Sequence, residues 1–164
     1  MTTIYEQSLQ RLSEASGANI EIGEDRIANV VVEDRVLTLK PSDEAESALT
    51  AFTIVAKCDD SGRFSVDTLE KALAMDLFGA RTLGGHIGLF ADALFLSRTI
   101  AVEGLSPEAL AEEFVLLVRL AEELERELDG ADDDAQGGGE AVAPAPAPED
   151  IPHLNFGLDG FMRV

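Results

Sequence analysis

The sequence predicts an α+β domain built on a twisted antiparallel sheet, in the order helix, three strands, helix, two strands, helix. Three observations predict it. The hydrophobic period switches between helical and strand spacing, and the strands arrive in consecutive groups rather than alternating singly with helices, which argues against a doubly wound parallel sheet. Apolar residues make up 46% of the chain, enough to fill a core. Set against them are 32 acidic and 12 basic residues, a net charge of 12 − 32 = −20, so that core must lie beneath a strongly anionic surface. Disordered acidic chains reach such charge with few apolar residues, because they have no core to fill.

The first helix is expected over residues 3–16, where Ile4, Tyr5, Leu9, Leu12 and Ala15 draw one apolar stripe and Gly17 stands at the place of a left-handed cap. Ile27 to Val32 is rich in β-branched residues. Val36 to Lys40 alternates, with Leu37 and Leu39 on one side and Thr38 and Lys40 on the other. Glu33-Asp34 between them makes a hairpin, and Pro41 ends its second strand because proline gives no ladder hydrogen bond. Ala48 to Cys58 alternates again, with Phe52, Ile54 and Ala56 facing one way, before the turn Asp59-Asp60-Ser61-Gly62.

A second helix spans 65–78, capped by Ser65 and carrying Leu69, Leu73 and Leu77 with Ala72 between. Two further strands, His86–Ala91 and Leu94–Val102, flank Asp92-Ala93, and Leu94, Leu96, Ile100 and Val102 share a face. Ser106-Pro107-Glu108 opens the third helix: serine caps, proline suits the first turn and glutamate meets the positive end of the dipole. Leu110, Phe114, Leu117, Ala121, Leu124 and Leu128 form its inner stripe, and its other side is acidic.

The domain is thus expected over residues 1–128. Residues 129–150 shift to Gly, Ala, Pro and acid, and read as a flexible linker. Residues 151–164 restore apolar side chains, among them Ile151, Leu154, Phe156, Leu158, Phe161 and Met162, too many for a solvated tail. Three roles stand open for that segment: docking on its own domain over an apolar groove, a short motif for another partner, or none.

Charge and composition exclude several function classes. A −20 surface repels nucleic acid phosphate and anionic lipid, so no nucleic acid and no membrane insertion are expected. No apolar run approaches the roughly 18–20 residues that span a bilayer. The N-terminal stretch lacks the order of a secretory signal, and the single cysteine, Cys58, excludes an internal disulfide, so the cytoplasm is the expected compartment. Only two histidines, His86 and His153, are present, too few for most nucleophile–histidine or histidine–metal arrangements. His86 reads as structural and Cys58 as a small core residue.

Gly79 to Gly85 has glycines but no Lys-Ser/Thr after them and leads into a strand, so it is no phosphate loop. The stretch around Asp59–Gly62 imitates a calcium loop. With Gly62 at its sixth position, however, the first is Lys57 and the twelfth Thr68, where Asp and Glu are required. No catalytic residue, metal or cofactor is therefore expected, and the chain is expected not to be an enzyme.

Two stretches carry a family resemblance. Leu94-Phe-Leu-Ser-Arg-Thr-Ile-Ala-Val-Glu-Gly-Leu-Ser-Pro-Glu108 looks like the last strand and last helix of the class I type III secretion chaperones, the Tir chaperone family. Leu77-Phe-Gly-Ala-Arg-Thr-Leu-Gly-Gly85 looks like that family's stretch after the middle helix. Element order, size and acidity over residues 1–128 agree with it. The resemblance implies a non-enzymatic cytoplasmic homodimer that binds the N-terminal region of a secreted effector in extended form and keeps it soluble and export-competent. The export ATPase is a further possible partner. The alternative is a small acidic regulatory domain with no secretion cargo.

By the same resemblance, the second helix and the strand after it build the dimer interface, with Leu69, Ala72, Leu73, Met75, Leu77, Phe78, Leu89 and Phe90 as candidates. The first helix and first sheet face hold the effector, with Ile4, Leu9, Leu12, Val30, Val32, Leu37 and Leu39 as candidates. For every one of these residues the competing reading is the core of the monomer. Solubility while apolar patches stand exposed is what such a charge favours, −40 for a dimer at −20 per chain.

Overall fold

The computed structural model describes residues 3–135, apart from 44, 46, 59–61, 78 and 80. Helix α1 covers Ile4–Ser16. Thr3 and Glu6 form a reciprocal capping box: the Glu6 N–H donates to Thr3 Oγ1 at 3.3 Å and the Thr3 N–H to Glu6 Oε2 at 2.9 Å. Gly17 ends the helix at φ +70°, where its N–H reaches the Ser13 carbonyl at 2.9 Å. A side chain there would meet the left-handed steric penalty that glycine lacks.

Strands β1 (Ala28–Val32) and β2 (Arg35–Pro41) form the expected hairpin. Glu33 and Asp34 in its turn both have positive φ, which matches the right-handed twist of the flanking strands. Strand β3 (Ala48–Lys57) follows, then helix α2 (Val66–Leu77), strands β4 (His86–Phe90) and β5 (Ala93–Ala101), and helix α3 (Pro107–Ala135). Ser65 caps α2 through the Thr68 N–H at 3.0 Å, and Ser106 caps α3 through the Ala109 N–H at 3.2 Å. Glu108 in the first turn of α3 is held below the usual carboxylate range by a hydrogen bond from its own backbone N–H and then by Ser106.

All strand pairs are antiparallel, in the order β1-β2-β3-β5-β4. The helices pack on one face of this sheet. Tyr5, Leu9 and Leu12 of α1 meet Leu37, Leu39, Leu49, Leu96 and Ile100 of the sheet and the whole predicted stripe of α3 in a single core. Ile87 of β4 receives α2 directly, since its N–H donates to Asp76 Oδ1 at 2.8 Å. Across the layers, Arg98 Nη1 of β5 lies 2.9 Å from Glu113 Oε2 of α3, and Arg35 of β2 pairs with Glu125.

Two details differ from the sequence reading. The β3–β5 register shifts between Ile54 and Ala56, so Ile54 faces outward with Phe52 while Ala56 packs against the core, and the three do not share one face. A bulge places two residues against one and breaks the period of two. Helix α3 also runs to Ala135, past the expected boundary at 128. Its apolar stripe ends at Leu128, so the periodic signal stops there while the backbone hydrogen bonding continues. A single glycine, Gly130, costs only about 1 kcal/mol within a helix and does not end it.

Candidate functional site

The helix layer covers one face of the sheet and leaves the other open. On that outer face Val31 and Val36 are register partners, 68% and 53% exposed. Ile54, also exposed, pairs with Phe95 on β5. Phe95 meets Phe52 edge to face, with ring centroids 6.3 Å apart and planes at 77°. These five side chains come from β1, β2, β3 and β5 and form an apolar strip across the sheet. Thr38, Asn29 and Lys40 flank it, with Thr38 Oγ1 and Asn29 Oδ1 2.9 Å apart. Arg35 fixes one end of the strip from behind: it donates to the Ile54 carbonyl at 2.6 Å while paired with Glu125.

The strip runs out at β1, an edge strand. Ile22 bridges to Ala28 and the Gly23 N–H donates to the Ile27 carbonyl at 2.8 Å, which covers the start of that edge. Among the described residues, β1 beyond Ala28 pairs with β2 alone.

A second apolar surface lies at the opposite end of the sheet. Helix α2 has two apolar sides. Thr68, Ala72 and Met75 face the core. Val66, Leu73 and Leu77, at helical spacing, face outward, and Leu73 and Leu77 are 69% and 76% exposed. Leu89 on the neighbouring β4 is exposed too. Asp76, holding the Ile87 N–H and lying 3.6 Å from His86 Nδ1, locks this helix to this strand.

These surfaces correct the expected effector residues. Leu9, Leu12, Leu37 and Leu39 are buried in the core rather than displayed, because the stripe of α1 and the even-spaced leucines of β2 are what the helices and sheet bury against each other. Val30 and Val32 are half-buried against that core, and Ile4 is exposed. Of the expected interface residues, Ala72 and Met75 belong to the core and Leu69 is half-buried, whereas Leu73, Leu77, Leu89 and Phe90 are exposed. Leu89 and Phe90 point to opposite faces, as neighbours on a strand must. Phe78 and the segment containing Ile151, Leu154, Phe156, Leu158, Phe161 and Met162 lie outside the described residues. Sequence reasoning named none of the strip's five residues as a site: Val31, Val36 and Phe95 belong to the alternate set of strands whose other set was read, and Phe52 and Ile54 were read only as one side of a strand.

Other chemistry is sparse. Among the described residues, no group of three His, Cys, Asp or Glu side chains is arranged to hold a metal ion. Among the same residues, no helix is long and apolar enough to cross a membrane. Cys58 is half-buried, with its N–H on the Asp92 carbonyl at 2.8 Å. The site is therefore two apolar surfaces on an anionic body, suited to contact with polypeptide.

The sequence pattern of the Tir chaperone protein (CesT) family matches residues 7–125, most of the chain. The chain belongs to the Tir chaperone family. This is a type III secretion chaperone, a class that binds effector proteins, and the regulatory-domain alternative is not favoured. No curated protein sequence matches the chain.

Among solved structures, this family member is similar to the Yersinia pestis type III secretion chaperone SycH in complex with a stable fragment of YscM2. The two share 24% identity at a TM-score of 0.54, over 73% of this chain and 98% of that one. It is similar to the structure of the HopA1–SchA chaperone–effector complex, at 20% identity and a TM-score of 0.55, over 75% and 94% of the two chains. The ExsC–ExsE complex matches at 16% identity and a TM-score of 0.60, over 77% and 96%. These likenesses establish a shared α+β fold. They also show that the Tir chaperone domain here accounts for nearly all of each neighbour's length.

Proposed function

We propose that this chaperone binds the N-terminal region of a secreted effector in extended form, along the outer face of its sheet, and keeps that effector soluble and competent for export. The observation that carries this reading is the strip of Val31, Val36, Ile54, Phe52 and Phe95, which the domain's own helices leave open. An extended segment presents alternate side chains to such a strip and its backbone to the edge of β1. Val30 and Val32 lie on the same strand with their side chains toward the core. Because the segment loses its disorder on binding, useful affinity requires a long contact, and a sheet face supplies one.

The protein acts as a homodimer through the outward side of α2, with Leu73 and Leu77, and through Leu89 on β4. It works in the cytoplasm, without catalysis or cofactor, and hands its cargo to the export apparatus, including the export ATPase.

The test is affinity purification of the tagged full chain from its host, with the bound segment mapped by limited proteolysis. A secreted protein recovered through a protease-protected N-terminal stretch supports the reading, and Val36→Ser with Ile54→Ser should lower its recovery at least tenfold. Recovery of folded cytosolic proteins alone, or unchanged capture by the double variant, would overturn it.

A further inference from the structure

We propose that Arg35 is the positioning residue of the outer strip: from the helix side of the sheet it closes a seam between β2 and β3, and so sets the spacing of the apolar side chains along which a client lies. The seam and its closure stand on geometry alone; their bearing on a client rests on the chaperone function proposed for this chain.

The ladder between β2 and β3 is incomplete. Its pairs run from Pro41↔Leu49 to Thr38↔Phe52. Both strands go on past that point. Arg35, Val36 and Leu37 pair with Val32, Val31 and Val30 of β1. Thr53 pairs with Leu96 and Ile54 with Phe95, both on β5. The bulge between Ile54 and Ala56 gives a reason for the parting, because a bulge bends its strand and adds twist. The end of the β1–β2 hairpin is therefore an arm beside the body of the sheet.

Side chains close the interval where the ladder stops. Continuing its register would set Val36 opposite Ile54. Each of their carbonyls is met by a side chain of the other strand. The Thr53 hydroxyl donates to the Val36 carbonyl at 2.9 Å, and Arg35 Nη1 donates to the Ile54 carbonyl at 2.6 Å. Arg35 also pairs with Glu125 of α3. Its guanidinium is a rigid fork, suited to holding two acceptors at once. Arg119 Nη2 lies 3.4 Å from Glu33 Oε1 and ties the turn of the same hairpin to α3. Of these ties, Arg35 is the one that joins arm, β3 and α3 together.

The strip crosses this seam. Val31 and Val36 stand on the arm, whereas Phe52, Ile54 and Phe95 stand on β3 and β5. Arg35 and Thr53 alternate with Val36 and Ile54 along their strands, so their side chains lie on the helix side. Thr53 is buried there, and Arg35 meets Glu125 there. A change at either residue leaves the strip's own side chains intact and acts on the strip through position.

The test is methyl relaxation dispersion on the free full chain, comparing native, R35M, T53V and R98M. R35M removes a hydrogen bond from a charged donor, so the open population of the arm should rise about tenfold. Exchange broadening should then appear at Val31, Val36 and Ile54, with Leu96 and Leu117 quiet. T53V cuts the other tie and should excite the same three residues. R98M removes the Arg98–Glu113 pair between β5 and α3, which spans no seam, and should leave them quiet. Should R35M not fold, R35K (which keeps the charge but not the fork) must broaden the same methyls. A strip unmoved by R35M would overturn the proposal. So would broadening that spreads through the core in step with a fallen urea midpoint, or equal broadening in R98M. The secreted protein recovered by the tagged native chain is the second probe. R35M should recover it at least about twofold less, following the closed fraction. Equal recovery by a chain with a loosened arm would overturn the positioning role. If the native chain recovers no secreted protein, the chaperone function fails, and the spectra, which need no client, still decide the clasp.

Discussion

Tyr5 is the chain's single tyrosine, fully buried, with its hydroxyl donating to the Leu39 carbonyl at 3.1 Å. It ties α1 to β2 at the point where the core is deepest. Burial pushes its pKa from 10.0 up to about 12, a rise that Arg26 only partly opposes. A phenol whose folded pKa is raised contributes stability that is fully present below the unfolded value and is lost as pH climbs from there toward the folded one. Absorbance of tyrosinate at 295 nm should therefore titrate near 12 in the folded protein and near 10 in denaturant. Denaturation midpoints should fall between those two pH values. In Tyr5→Phe that alkaline loss should vanish, at a cost near neutral pH of about 1 kcal/mol for the missing hydrogen bond. A midpoint in Tyr5→Phe that still falls over the same pH window would refute this account.

Among the elements, α1 depends on its first turn. It is 13 residues long and ends in no basic residue, so the capping box of Thr3 and Glu6 is its main terminal support. Thr3→Ala should destabilise the domain by about 1 kcal/mol, read as a shift in urea midpoint without a change in slope. Helix α2 illustrates a different point, since it is apolar on two sides and its own domain uses one. Leu73→Asp should leave the monomer's stability within about 0.5 kcal/mol, as surface changes do. It should abolish the proposed dimer in sedimentation equilibrium. A native chain that sediments as a monomer at tens of micromolar, or a variant that still dimerises, would discard α2 as the interface. Both stripes of α2 stand in the sequence as Val66, Leu69, Ala72, Leu73, Met75 and Leu77. Helical spacing allots them to sides, but nothing local says which side meets α3 and which meets water.

At the scale of the molecule, acidity and apolar surface are complementary properties. Arg35–Glu125, Arg81–Glu127 and Arg119–Glu33 commit several of the few cations to ion pairs at α3. Elsewhere the surface is left with unbalanced carboxylates, and chains repel one another except where apolar patches meet. Salt screens this repulsion without weakening burial of the patches, with a Debye length of about 8 Å at physiological strength. Self-association through α2 should therefore tighten as salt rises from 20 to about 300 mM, checked by the same sedimentation runs. Weakening with salt would mean that ion pairs, not apolar contact, hold the dimer.

Much of this architecture was legible in the chain. Element order, the caps at Ser65 and Ser106, the left-handed Gly17 and the inner stripe of α3 from Leu110 to Leu128 are written in local spacing, because each depends on neighbours within a few residues. Family membership was legible too, in the stretch from Leu94 to Glu108. Which apolar residues face outward was not. Val30, Val31 and Val32 are equally apolar in sequence, as are Val36 and Leu37, and a strand's alternation defines two sets without ranking them. Only the tertiary structure decides, because α3 has one long apolar stripe to bury and, with α1 and α2 beside it, covers a single face of the sheet. The leucines of β2 fall on that face. Val31, Val36 and Ile54 fall on the other, and stay exposed.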